Sequence, residues 1–174
     1  MTTATCSNAP IAYRRLLPGD DLETLTVLLH EAYAPLAAAG MRFVASHQDV
    51  ETTRQRIARG EAFVAVSNEV VVATITLADA GATNGSPFYD RPDVADFGQF
   101  AVRPSFQRRG VGSRLIEIVE ARAREKGVAE LALDTSEHAT ELIAMYTRKG
   151  FRFVEYAQWD SVNYRSVILS KTLI

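Results

Sequence analysis

Arg103-Pro104-Ser105-Phe106-Gln107-Arg108-Arg109-Gly110-Val111-Gly112-Ser113 joins two stretches of different period. Before it runs a short apolar segment, Phe97 to Val102. After it, from Arg114 to Lys126, apolar residues recur at helical spacing. The stretch therefore reads as a strand-to-helix turn that carries two glycines and a cluster of arginines. The first N–H groups of a helix have no partner inside it, and the helix dipole places partial positive charge there. Glycine lets that backbone approach a phosphate closely. An anion site is one reading; a plain helix start with solvated arginines is the other. A Walker loop is excluded, because no G-x-x-x-x-G-K-[S/T] occurs, and a dinucleotide fingerprint would need glycine at Leu115.

Working outward, the second half of the chain alternates strands and helices. Ala95–Val102 is a strand leading into the turn, and Arg109–Lys126 a helix closed by Gly127. Glu130–Asp134 is a strand, with Thr135-Ser136 as the turn after it. Ala139–Lys149 is a helix stopped by Gly150, and Phe151–Trp159 and Tyr164–Lys171 are the last two strands. On the N-terminal side, Ile11–Leu17 is a strand and Pro18-Gly19-Asp20 a turn. Asp20 or Asp21 is placed to cap an amphipathic helix running to about Ala34, which Pro35 ends or bends. Ser46 is placed to cap a second helix, His47–Arg59. Glu61–Ser67 and Val70–Leu77 form a hairpin across Asn68-Glu69, and Asp79–Val94 is a long loop. The order βααβββαβαββ predicts an α/β (α+β) fold with a mixed, mostly antiparallel central sheet flanked by helices.

With 174 residues, 47% hydrophobic and 23% charged, the chain fits one domain spanning 11–174 after a disordered tail over 1–10. Net charge is −2 and pI about 5.9, which supplies no general attraction to nucleic acid or to an anionic membrane. The single cysteine, Cys6, rules out an internal disulfide and suits a reducing compartment. No apolar run reaches membrane-spanning length, and the N-terminus has neither the basic region nor the apolar core of a signal peptide. The expected location is the cytoplasm. His30, His47 and His138 have no ligand spacing, so no metal is expected.

Two motifs and the element order together resemble the GNAT superfamily of N-acetyltransferases, over about Ile11 to Leu173. Gln107-Arg108-Arg109-Gly110-Val111-Gly112 fits that family's Gln/Arg-x-x-Gly-x-Gly/Ala pyrophosphate loop. Met145-Tyr146-Thr147-Arg148-Lys149-Gly150-Phe151 is similar to its Leu-Tyr-x-x-x-Gly-Phe segment. The chain departs from the pattern at Ala139, where the family often has a coenzyme-holding asparagine; His138 and Thr140 flank it.

The resemblance implies the GNAT acyl-CoA N-acyltransferase fold, with acetyl-CoA as co-substrate and a small-molecule or peptide amine as acceptor. A homodimer is a further expectation. The amides from Arg108 to Ser113, with Gln107, would hold the pyrophosphate of acetyl-CoA. Phe100, Ala101 and Val102 would align the pantetheine arm and offer an N–H to the thioester oxygen. Tyr146 would act as general acid toward the departing thiolate; from its spacing alone it reads as a core aromatic beside Leu142 and Ile143. Asp96 matches the position of a general base working through water, with His138 as another candidate. His30, Tyr33, Phe43, Tyr89 and Gln99 are candidates for the acceptor site. The loop 79–94 adds four aspartates (79, 90, 93 and, just beyond, 96) against Arg91, an acidic rim for a cationic amine or simply a polar surface. Two rivals stand beside this reading. One is a non-catalytic acyl-CoA-binding module. The other is a GNAT enzyme with a different acyl group or acceptor.

Overall fold

The computed structural model describes residues 9–82 and 85–173, so Cys6 and most of the expected N-terminal tail lie outside the described residues. The chain begins with β1 (Ala12–Arg15) and α1 (Leu22–Ala38), then α2 (Val50–Ile57). A hairpin follows, of β2 (Gly60–Ser67) and β3 (Val70–Ala78). After the long loop come β4 (Val94–Val102), α3 (Val111–Glu125), β5 (Glu130–Ser136) and α4 (Thr140–Arg148). The last elements are β6 (Arg152–Ala157) and β7 (Ser166–Thr172). The strands form one sheet in the order β1-β2-β3-β4-β5-β7-β6, antiparallel except for the β4–β5 pair.

Local chemistry explains most boundaries. Asp21 caps α1 by accepting the Glu23 N–H. Asn68 and Glu69 both have positive φ (48° and 65°), the backbone a two-residue hairpin turn needs. Three expectations need correction. α1 runs through Pro35 to Ala38, because a proline costs one helical bond but does not forbid the next turn. α2 is capped by Asp49, whose carboxylate accepts the Thr52 N–H at 2.8 Å; Ser46 belongs to a separate 3-10 turn and donates to the Phe43 carbonyl. Thr135 and Ser136 are strand, paired with Val167 and Ser166.

Helices cover both faces of the sheet. α3 and α4 bury Leu115, Val119 and Tyr146 against Ile75, Phe97, Leu131 and Phe151. On the other face, Leu25 and Leu28 of α1 meet Val64, and Leu29 meets Ala101. The feature that positions the site is the short β4–β5 pairing, which covers only Val94, Ala95 and Asp96 against Glu130, Leu131 and Ala132. Beyond Asp96 the two strands part. A bulge accounts for this: Thr74 pairs with Ala101 and Thr76 with Gly98, so Gln99 and Phe100 together face Ile75. Gln99 has φ 46°, and a bulge of this kind bends its strand away from the ladder.

Candidate active site

Where β4 and β5 part, a cavity of about 450 Å³ opens. Its floor carries Asp96, Gln99 and Asp134. Tyr33 and Phe43 form one wall and Arg56 and Arg59 of α2 and its C-terminal edge another, while Tyr146 comes from α4 and Trp159 and Tyr164 from the β6–β7 connection. A larger groove, about 780 Å³, runs from Arg15 to Glu23 past Arg54 and Glu61, and holds no residue of the strand-to-helix turn or of the split.

The turn into α3 is shaped by two glycines for two reasons. Gly110 has φ 79°, which favours glycine whatever the space. A Cβ on Gly112 would lie 2.9 Å from Phe100 Cζ and 3.3 Å from Val102 Cγ2, so the helix start touches β4. Arg114 N–H donates to the Gly110 carbonyl at 3.0 Å, leaving the amides of Val111, Gly112 and Ser113 as the free donors of the first turn. Lys149 Nζ donates to Ser113 Oγ at 2.7 Å, which puts a cation from the end of α4 at this helix start. Arg109 stacks on the Phe106 ring, and Arg108 is exposed. Gln107 Nε2 donates to the Val102 carbonyl at 3.0 Å, tying the turn to the strand end.

Burial perturbs titratable groups that line the cavity, among them Tyr33, Arg56, Asp134 and Tyr146. Tyr146 is 6% exposed, packed edge-on to Phe97 and Phe151, and burial drives its phenol far above the usual range, with Tyr33 and Asp134 adding to the shift. Burial pushes Tyr33 to about 12; its hydroxyl donates to the Phe100 carbonyl at 3.0 Å. Asp134 accepts from Trp159 Nε1 (3.0 Å) and Tyr89 Oη (3.1 Å), yet desolvation outweighs both and raises its pKa. Arg56 is pulled the other way, its pKa lowered by burial.

Residues 26–151 match the acetyltransferase (GNAT) family model. The chain is also 30% identical over 139 residues to the S-(2-succino)cysteine N-acetyltransferase of Bacillus subtilis, covering 79% of this chain and 82% of that protein. This protein belongs to the GNAT family. It is an acyltransferase of that family, whose co-substrate is acetyl-CoA. Solved GNAT structures share its fold. The ribosomal-protein-S18-alanine N-acetyltransferase of Escherichia coli superposes with a TM-score of 0.71 at 20% identity, over 94% of each chain. The PaiA N-acetyltransferase of Thermoplasma acidophilum, solved with coenzyme A, does so at 0.71 and 18% identity, over 94% of this chain and 99% of that one.

Set on the GNAT fold, the residues singled out in the sequence separate into groups. Tyr33, Phe43, Asp96, Gln99 and Tyr146 line the cavity together. Phe100 to Val102 lie on the β4 segment past the last β5 pair, and Gln107 to Ser113 make the turn. His30 does not line the cavity: its Nε2 donates to the Gln48 carbonyl at 2.7 Å. Tyr89 does not line the cavity and reaches the site through its bond to Asp134 and its stacking on Trp159. The acidic rim does not form, since Asp79 pairs with Lys126 and Asp93 with Arg91, and Asp96 alone of the four aspartates lines the cavity. Ala139 is buried, with His138 and Thr140 exposed on either side. Sequence reasoning missed Arg56, Asp134 and Lys149. Lys149 stands inside the Tyr146–Phe151 motif and was there to be found as a cation; the other two carry no local signal.

Proposed function

We propose that this enzyme transfers an acetyl group directly from acetyl-CoA to a primary amine of a small molecule or peptide, in the cavity between β4 and β5. The observation that carries this reading is Tyr146, a buried phenol lining the cavity where the two strands part. Its raised pKa keeps it protonated at neutral pH, as a proton donor must be. The free amides of Val111 to Ser113, with Lys149 beside them, suit the pyrophosphate. The β4 edge from Phe97 to Val102, without a β5 partner, suits the extended pantetheine arm and places backbone N–H groups near the thioester oxygen. A well-placed donor there contributes roughly 3 kcal/mol to the transition state. The amine arrives as an ammonium and loses a proton to Asp96, through a water because Asp is short. It then attacks the thioester carbonyl. As the C–S bond breaks, Tyr146 protonates the departing sulfur, and the second proton lost by the nitrogen as the amide forms returns through water to the Tyr146 phenolate.

The test is Tyr146→Phe. The rate of thiol release should fall about 100-fold or more, the usual worth of a positioned general acid, while acetyl-CoA affinity measured by calorimetry stays within about three-fold. Equal turnover in the variant would remove Tyr146 as the acid, whereas acetyl-CoA binding with no thiol release from any amine would favour the non-catalytic acyl-CoA-binding module. S-(2-succino)cysteine, for which the Bacillus relative is named, belongs in the acceptor panel beside polyamines, aminoglycosides, amino acids and peptides. We place the reaction in the cytoplasm, a reading supported by a single cysteine and by the absence, among the described residues, of a helix long and apolar enough to cross a membrane. A homodimer is supported by Phe153 and Tyr156, exposed side by side on the edge strand β6, and sedimentation would decide it.

A further inference from the structure

Beneath the β4 bulge lies a polar network that fixes which way each amide points. Arg56 can only donate, and its Nη1 bonds one Gln48 side-chain atom at 2.7 Å; that atom must be Oε1. Gln48 Nε2 therefore faces the other side and donates to Thr53 Oγ1 and Gln99 Oε1, each at 2.6 Å. Gln99 is left with its Nε2 as a donor. That atom is buried and has no partner, on a residue only 4% exposed that lines the cavity. A buried amide donor without an acceptor is destabilising until a ligand supplies one, and it stands where the bulge holds a non-glycine residue at positive φ.

The charges around the cavity supply the second observation. Arg56 and Arg59 face it from α2 and the residues after it, and Asp96 and Asp134 from the floor. Arg59 also donates to the Ala82 carbonyl, and Asp134 is held by Tyr89 and Trp159. The cations and the acids balance in number. A polyamine would find no excess of negative charge here. A molecule with one charge of each sign would meet both. Arg56 lies against Gly98, its Nη2 3.9 Å from where a Cβ would stand, so the missing side chain leaves the guanidinium open toward the strand.

We propose that the acceptor is a free amino acid or a similar zwitterion, its carboxylate held by Arg56 and the Gln99 amide and its ammonium drawn to Asp134. This rests on the acetyl-transfer reading for which cavity is used, and adds the acceptor's chemistry. Arg56 brings the charge-assisted donors a carboxylate takes, and Gln99 a neutral donor left waiting by its own network. Burial weakens both Arg56 and Asp134 as ions, and each is relieved by a counter-charge from the ligand.

The protein's one tryptophan, Trp159, lines the cavity and bonds Asp134, so its fluorescence reports ligand entry without turnover. With CoA present, N-acetylmethionine and N-acetylmethioninamide are titrated as a matched pair; they share shape and differ by one charge. The acid should bind about 10- to 100-fold tighter, the worth of a charge-assisted hydrogen bond. Arg56→Met should reduce the preference to less than about three-fold, and Arg56→Lys should restore part of it, with melting curves confirming that both variants fold. In parallel, methionine should release thiol from acetyl-CoA faster than methioninamide. Equal binding of the pair, stronger binding of the amide, no binding of either, or a preference that survives in a folded Arg56→Met variant would each overturn the proposal. Faster turnover of methioninamide would point to a peptide N-terminus and overturn it while leaving acetyl transfer intact. Tight binding of N-acetylmethionine without thiol release from any amine would support the carboxylate site and overturn acetyl transfer.

Discussion

Gly112→Ala separates packing from backbone strain at the centre of the site. The added Cβ would lie 2.9 Å from Phe100 Cζ, 3.3 Å from Val102 Cγ2 and 3.5 Å from Phe100 Cε2. The Phe100 ring cannot swing away freely, because it already packs edge-on to Phe97 with centroids 6.2 Å apart. Overpacking of this sort costs about 1–3 kcal/mol, and alanine's better helix propensity returns at most about 1 kcal/mol. A net loss of about 1–2 kcal/mol in a chain of this length lowers the melting temperature by roughly 2–8 °C. Function should suffer more than stability. Relief requires α3 and β4 to move apart, and in the proposed binding mode these two elements hold opposite ends of acetyl-CoA. A misplacement of that kind costs up to about 100-fold in kcat/KM. Gly110→Ala is the control. No atom stands within 4 Å of its would-be Cβ, but φ is 79°, so it should lose a similar 1–2 kcal/mol, roughly, through strain alone. Its kcat should stay near wild type. Thermal melts with steady-state thiol-release kinetics measure both. If Gly112→Ala keeps the wild-type melting temperature and a kcat/KM within two-fold, the close approach of α3 to β4 does not set the groove.

Two further perturbations follow from the same contacts. Lys149→Met removes the cation at the α3 start and should raise KM for acetyl-CoA several-fold while flattening its salt dependence; an unchanged salt profile would place Lys149 away from the phosphates. Glu61 is a hub for Arg15, Arg122 and Lys126, and the Arg122 bonds hold its carboxyl at about 2. Its folded pKa lies below the unfolded value of 4.5, so its contribution is complete above pH 4.5 and disappears as pH falls toward 2. Glu61→Gln should therefore cost about 1–2 kcal/mol at pH 7 after solvent screening, and almost nothing near pH 2; a constant difference across that range in chemical denaturation would show that the hub is not electrostatic.

The fold was legible because its elements are written locally. Each helix carries its period and a cap or stop, and the β2–β3 hairpin and the 103–113 turn are contiguous runs. The errors came where two local signals competed. Ser46 and Asp49 are both residue types that cap helices, and the 3-10 turn over Val44–Ser46 leaves Asp49 as the cap of α2. Pro35 signals an end or a bend near Ala34, but a helix anchored through Leu25, Leu28 and Leu29 continues past one missing bond to Ala38. The turn of the site was legible for the same reason as the helices. The rest of the cavity was legible only in part: Tyr33, Phe43 and Gln99 were read from the chain, but Arg56, Asp134 and Trp159 come from α2, β5 and the β6–β7 connection and meet only after the sheet has formed.

The cavity they line opens beside the bulge at Gln99, and no residue type there announces it. Positive φ on a glutamine is strained, of order 1–3 kcal/mol, and needs fixing from outside. The fixing comes from Gln48, which is held by Arg56 and Thr53 and grips Gln99 by its side-chain oxygen. Thr53 in turn bonds Thr26 at 2.7 Å, so the network ties α1 and α2 to the strand. The same bonds that hold the backbone in its strained form also fix the Arg56 guanidinium and leave the Gln99 amide as a donor. Strand separation and the cavity's polar groups thus share one network: Gln48 grips the bulged Gln99 just beyond the last β4–β5 pair, and the Arg56 and Gln99 donors hang on the same bonds.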